Sequence, residues 1–117
     1  MFSQVHGTWG ERMLTFAWDG GIVTLLFLVP NQRCSYHSHT TCWNRFTVIS
    51  GKLGVKTDKG HTTVLTQKQM FDVEPGVLHE FQTYEVPAIV EEIAYVKYNP
   101  EDIRRIALGG DVLEPEV

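Results

Sequence analysis

His37 and His39 stand two apart in the segment Tyr36-His37-Ser38-His39, and a further histidine, His79, closes the segment Pro75-Gly76-Val77-Leu78-His79. Side chains two apart on a strand leave the same face, so His37 and His39 can aim two imidazoles at one point. His79 follows a Pro-Gly turn and opens an alternating stretch in which His79, Phe81 and Thr83 share a face. Three imidazoles converging in this way make a metal site with open coordination positions, as catalytic sites have and closed structural sites do not. Neutral imidazole suits transition metals such as zinc, iron or nickel better than magnesium or calcium. Three neutral ligands also leave the full charge of a divalent ion in place, which favours an anionic ligand.

The elements that must position these residues are strands. Segments rich in Val, Ile, Thr, Phe and Tyr alternate with turn signals about every ten residues, the pattern of an all-β sandwich or barrel. Strands are expected over Arg12–Trp18, Ile22–Val29, Asn44–Ser50, Leu53–Thr57, His61–Thr66, Gln69–Val73, Leu78–Thr83 and Ala88–Lys97. Asp19-Gly20-Gly21, Gly51-Lys52, Asp58-Lys59-Gly60 and Glu74-Pro75-Gly76 punctuate them. Asn99 as a cap, Pro100 at the first helical position and acids behind it predict a short helix over about 100–108, before a loose tail from 109 to 117. The expectation is one domain over 1–117 with its core at about 12–98: a jelly-roll barrel with a short C-terminal helix.

Composition bounds the partners. The chain has 117 residues, 43% of them hydrophobic and 21% charged, with a net charge of −4. The basic residues are dispersed, which argues against nucleic acid. The longest apolar run, Ile22–Val29, is too short to span a bilayer, and the first residues lack the pattern of a secretory leader. A cytoplasmic setting is expected, with Cys34 and Cys42 as thiols.

With these residues in view, the chain resembles the cupin superfamily. Its first motif is HxH, three or four residues, a glutamate, six residues and a glycine; here His37-Ser38-His39 is followed by four residues, Asn44, six residues and Gly51. Its second motif places a Pro-Gly turn shortly before a histidine, as Pro75 to His79 do. Trp9-Gly10, the run FTVISGKLGV and the segment PEDIRR resemble in particular the cupin domain of mannose-6-phosphate isomerase/mannose-1-phosphate guanylyltransferase proteins. The resemblance implies a metal held by His37, His39 and His79, with Asn44 where the family's glutamate would stand, able to offer a carbonyl oxygen as a fourth ligand or to hydrogen-bond a ligand but unable to act as a base. It implies zinc, iron, nickel or manganese as cofactor, a homodimer, and a small carbohydrate or sugar-phosphate ligand, with a metal-dependent isomerase as the corresponding enzyme. Two alternatives stay open: a non-haem iron dioxygenase of the three-histidine type, in whose relatives a cysteine can replace the glutamate, a place Cys42 approaches; and a cupin that binds a small ligand without turning it over.

Other chemistry-bearing residues receive default readings. Glu91 and Glu92 leave opposite faces of their strand, so one of them can point inward as a base. Arg45 can meet an anionic group or be a solvated strand arginine. Arg104 and Arg105 are expected on the helix surface, and His6 and His61 on surface segments.

Overall fold

The computed structural model describes residues 4–7, 9–58 and 60–111. The chain forms strands β1 (Gln4–Gly7), β2 (Gly10–Trp18), β3 (Gly21–Leu28), β4 (Gln32–Arg33), β5 (Tyr36–Ser38), β6 (Trp43–Ser50), β7 (Leu53–Thr57), β8 (Thr62–Leu65), β9 (Met70–Val73), β10 (His79–Gln82), β11 (Ala88–Tyr95), β12 (Arg104–Ala107) and β13 (Gly110–Asp111). They form two antiparallel sheets. The first has the order β1-β2-β3-β11-β6-β9. In the second, β10 pairs with β7 along one edge and with β5 and β4 along the other, and β8, β12 and β13 extend it outward from β7, β5 and β4. The chain is thus all-β, as its alternation of β-branched runs and turns requires.

The apolar run of β3 is central, paired to β2 and β11. Its inward residues Leu26 and Leu28 meet Phe46 and Val48 of β6, Val90 of β11, Leu53 and Val55 of β7 and Phe81 of β10 in one core. At one end of the sandwich the inward series turns polar. Thr24 precedes Leu26 on β3, Asn44 precedes Phe46 on β6, and Glu92 follows Val90 on β11. Thr24 and Glu92 are register partners, and Glu92 pairs with Phe46 across β6, so these polar residues gather over the apolar floor. Period-two alternation therefore builds a filled half and an open half from the same three strands.

Gly51, the glycine of the first motif, has φ +84°, and a side chain there would collide with the Pro87 carbonyl and press on Ala88. Only glycine makes this turn from β6 into the other sheet without strain.

The helix expected over 100–108 is not formed. The cap signal itself operates, since Asn99 Oδ1 accepts the Glu101 N–H at 3.0 Å and the Asp102 N–H reaches the Asn99 carbonyl at 3.0 Å. One turn later the chain extends, and β12 pairs with β5, Arg104 opposite Ser38 and Arg105 opposite His37. A helix of this length is marginal by itself, whereas pairing satisfies the open edge of β5. Residues 110–111, expected to be loose, pair with β4 as β13; the tail from 112 onward lies outside the described residues. Among the described residues no helix is long and apolar enough to cross a membrane.

Candidate metal centre

Two strands of one sheet bring the histidines together. His79, first residue of β10, is the register partner of His37 on β5, and His39 lies just past the end of β5. The Gly76 N–H donates to the His39 carbonyl at 2.6 Å, tying the Pro-Gly turn to the HxH segment. Ring centroids are 4.5 Å apart for His37 and His79, 5.0 Å for His37 and His39, and 5.6 Å for His39 and His79. One nitrogen from each ring lies within 4.8 Å of the other two. A cation bound at roughly 2.1 Å to each nitrogen requires separations below roughly 4.2 Å, so a small contraction suffices to seat one.

The other nitrogen of every ring is already used. His79 Nδ1 lies 3.0 Å from the Val77 carbonyl, His39 Nδ1 2.7 Å from the Asp102 carbonyl, and His37 Nδ1 2.9 Å from the Ser35 carbonyl and 2.7 Å from the Ser35 hydroxyl. A carbonyl only accepts, so each Nδ1 carries the proton and each Nε2 presents its lone pair. Burial, with the neighbouring histidines, pushes His37 down to about 3; burial foremost pushes His79 down to about 4. Both are therefore neutral near pH 7, the form that binds metal. His79 Nε2 is fully buried and has no hydrogen-bond partner. Leaving such an atom unpaired costs about 1–3 kcal/mol, which a bound cation would offset. The donor set and this orphaned nitrogen fit a divalent transition metal.

Asn44 lies beside this cluster. It is 2% exposed, its Nδ2 donates to Glu92 Oε2 at 2.9 Å, and its buried Oδ1 has no partner. Phe46, next on the same face, has its ring 6.1 Å from that of His79. Glu92 is the inward member of the Glu91-Glu92 pair. Burial pushes its carboxyl up, against the opposing pull of Arg12, His39 and the Asn44 hydrogen bond. A cavity of about 460 Å³ opens here, lined among others by His37, His39, Asn44, Glu92, Arg12 and Arg105.

Three of these residues escaped the sequence reading. Arg12 and Arg105 reach the cavity because β2 and β12 flank it; Arg105 belongs to a strand, not to the expected helix surface. Asp102 fixes the HxH segment. Its carboxylate accepts the Thr40 N–H at 2.9 Å, the Thr41 N–H at 2.9 Å and the Thr41 hydroxyl at 2.8 Å, and also the Thr40 hydroxyl. These bonds hold its carboxyl well below the ordinary carboxylate range. No sequence signal links Asp102 to residues some sixty positions away.

The remaining candidates lie outside the histidine cluster, although Cys34, Phe46 and Phe81 line the cavity. Cys34 and Cys42 are buried free thiols. Cys34 Sγ accepts the Phe81 N–H at 3.0 Å, and burial pushes its thiol far up; burial pushes Cys42 up to about 11. Neither belongs to the histidine cluster. Arg45 points away from the cavity and forms a two-pronged pair with Asp72 at 2.9 and 3.1 Å. Trp43 and Tyr95 stack on each other beside it, 6.3 Å between centroids, while Phe46 and Phe81 form the cavity floor. His61 is exposed; the His6 side chain lies outside the described residues.

Comparison with known proteins bears on the fold. No protein-family model and no curated protein sequence matches the chain. Among solved structures it is similar to a conserved protein with a double-stranded β-helix domain from Klebsiella pneumoniae, at 20% identity and TM-score 0.71, over 80% of this chain and 81% of that one. It is similar to the capsular polysaccharide assembling protein CapF from Staphylococcus aureus, at 15% identity and TM-score 0.78, over 92% of this chain and 35% of that one. Oxalate decarboxylase from Bacillus subtilis matches at 13% identity and TM-score 0.76, over 90% of this chain and 30% of that one. The chain thus spans about a third of these last two proteins. The fold is the double-stranded β-helix of the cupins, and a three-histidine group on it supports a metal-binding site.

Proposed function

We propose that this protein is a metal-binding cupin whose three-histidine site binds or acts on a small anionic carbohydrate, a sugar phosphate being the fitting class. The observation that carries the reading is a cluster of three imidazoles, two of which, His37 and His39, line a cavity of about 460 Å³ together with Arg12 and Arg105. His37, His39 and His79 would hold the metal, which when bound supplies Lewis-acid polarisation of a ligand oxygen. Arg12 and Arg105 would pair with the anionic group. CapF, a capsular polysaccharide assembling protein, shares the fold, and so does oxalate decarboxylase, so the fold is compatible with carbohydrate and with other small anions alike. The mannose-6-phosphate isomerase likeness of the sequence favours carbohydrate.

Thermal-shift titration of the metal-loaded protein with sugar phosphates and the corresponding neutral sugars tests this. Stabilisation by the phosphates alone, lost in Arg12→Met, is expected; equal response to both sugar types contradicts it. A second reading, a three-histidine iron dioxygenase, is favoured by the absence of any carboxylate or thiol from the cluster among the described residues. Iron-dependent oxygen uptake with a small acid would select it.

Two copies are further proposed to pair. Among the described strands β8 bonds only to β7, and its Val64 is 48% exposed, an edge that a second copy would cover. Light scattering at a dimer mass is expected, a monomer mass contradicts it. The two free thiols support a reducing, cytoplasmic setting.

A further inference from the structure

Position 44 is where a carboxylate would complete the histidine set, and the chain has an amide there. The structure has a carboxylate nonetheless, on the neighbouring strand. Glu92 of β11 lies diagonally from Asn44 of β6, whose register partner is Ala94, so both side chains leave the sheet on the cavity side. They are joined through Asn44 Nδ2 and Glu92 Oε2 at 2.9 Å. That bond decides which way the amide faces: with Nδ2 turned to the carboxylate, Oδ1 is turned away from it. Oδ1 is buried and unpartnered in a residue only 2% exposed. An amide carbonyl with its dipole fixed by a carboxylate and nothing to accept from is a prepared ligand for a cation. His79 Nε2 is orphaned in the same way, with the ring of Phe46, Asn44's neighbour on that face, 6.1 Å away.

We propose that Asn44 and Glu92 act as one unit to complete the metal site. The Asn44 carbonyl is its fourth protein ligand, and Glu92 is the positioning residue that orients the amide. The oxygen donor sits on β6 and the group that orients it on β11. This inference rests on the metal-binding part of the proposed function and not on the ligand class.

The unit is tested with Co²⁺ alone on the full chain, following affinity by calorimetry and coordination by visible absorption. Glu92→Leu and Asn44→Leu are each expected to weaken Co²⁺ binding by roughly 10–100-fold, and Asn44→Leu to shift the absorption bands. Because Glu92 acts through Asn44, the double leucine variant should bind no more weakly than Asn44→Leu. The exchange Asn44→Asp with Glu92→Gln reverses the hydrogen bond and keeps one carboxylate; it should recover affinity that Glu92→Leu loses. Circular dichroism and thermal unfolding of the metal-free variants show which of them are folded and can be compared. Wild-type affinity and spectrum in folded Glu92→Leu, or additive losses in the double variant, would overturn the pair. Absence of Co²⁺ binding by the unaltered protein would instead remove the three-histidine reading, and the pair with it.

Discussion

Strand β6 presents chemistry on both faces, and the two faces differ in what they leave unfinished. On the outer face Arg45 bonds Asp72 through two nitrogens, the Tyr95 hydroxyl donates to Asp72 at 3.3 Å, and Trp43 stacks on Tyr95. Charges and polar groups there close on one another. On the inner face Asn44 keeps an unpartnered Oδ1 beside a histidine cluster whose Nδ1 atoms are all engaged and whose His79 Nε2 is orphaned. The outer cluster has the richer set of charges but nothing left to offer. A ligand site is distinguished here by buried lone pairs held ready and unspent, not by the number of ionisable groups.

If that distinction is right, substitutions on the two faces must separate. The largest effect is expected from His37→Ala with His79→Ala, which should abolish metal binding while far-UV circular dichroism shows an intact barrel; retention of a full equivalent would break the comparison. Arg45→Ala should leave metal content unchanged. Next comes Asp102→Ala, which frees the Thr40 and Thr41 amides and loosens the segment that carries His39. A loss of about tenfold in metal affinity is expected by titration; unchanged affinity would show that the clamp is irrelevant to the site.

A smaller effect is expected from pH on the metal-free protein. His37 and His79 have folded values of about 3 and about 4, below the ordinary 6.5. Between these values and 6.5 the unfolded chain binds protons that the folded chain refuses, so stability falls as pH falls through that window. The slope approaches about 1.4 kcal/mol per pH unit for each histidine. Denaturant titrations from pH 7 to pH 4 should show it, and the slope should flatten in His37→Ala with His79→Ala; an equal slope in both would assign it elsewhere. The smallest effect belongs to the outer face. Arg45→Ala should leave the denaturant midpoint of unfolding nearly unchanged, since its pair with Asp72 is partly exposed.

What the sequence disclosed follows from which signals are local. Histidine spacing, the Pro-Gly turn and the Gly51 turn are short-range features, and alternation put His79, Phe81 and Thr83 on one face, where all are buried. The C-terminal helix was misread because Asn99 and Pro100 give a real local signal that governs one turn, after which pairing with β5, more than sixty residues earlier, prevails. Glu92 and Glu91 were indistinguishable until register settled which of them faces inward. Asp102, Arg12 and Arg105 were invisible as site residues because their placement depends entirely on tertiary pairing.

The most direct test of the central claim is elemental analysis of the protein purified without chelator, beside His37→Ala. About one equivalent of a transition metal in the first and none in the second is the result this account predicts. Equal metal content in both, or none in either after reconstitution, would contradict it.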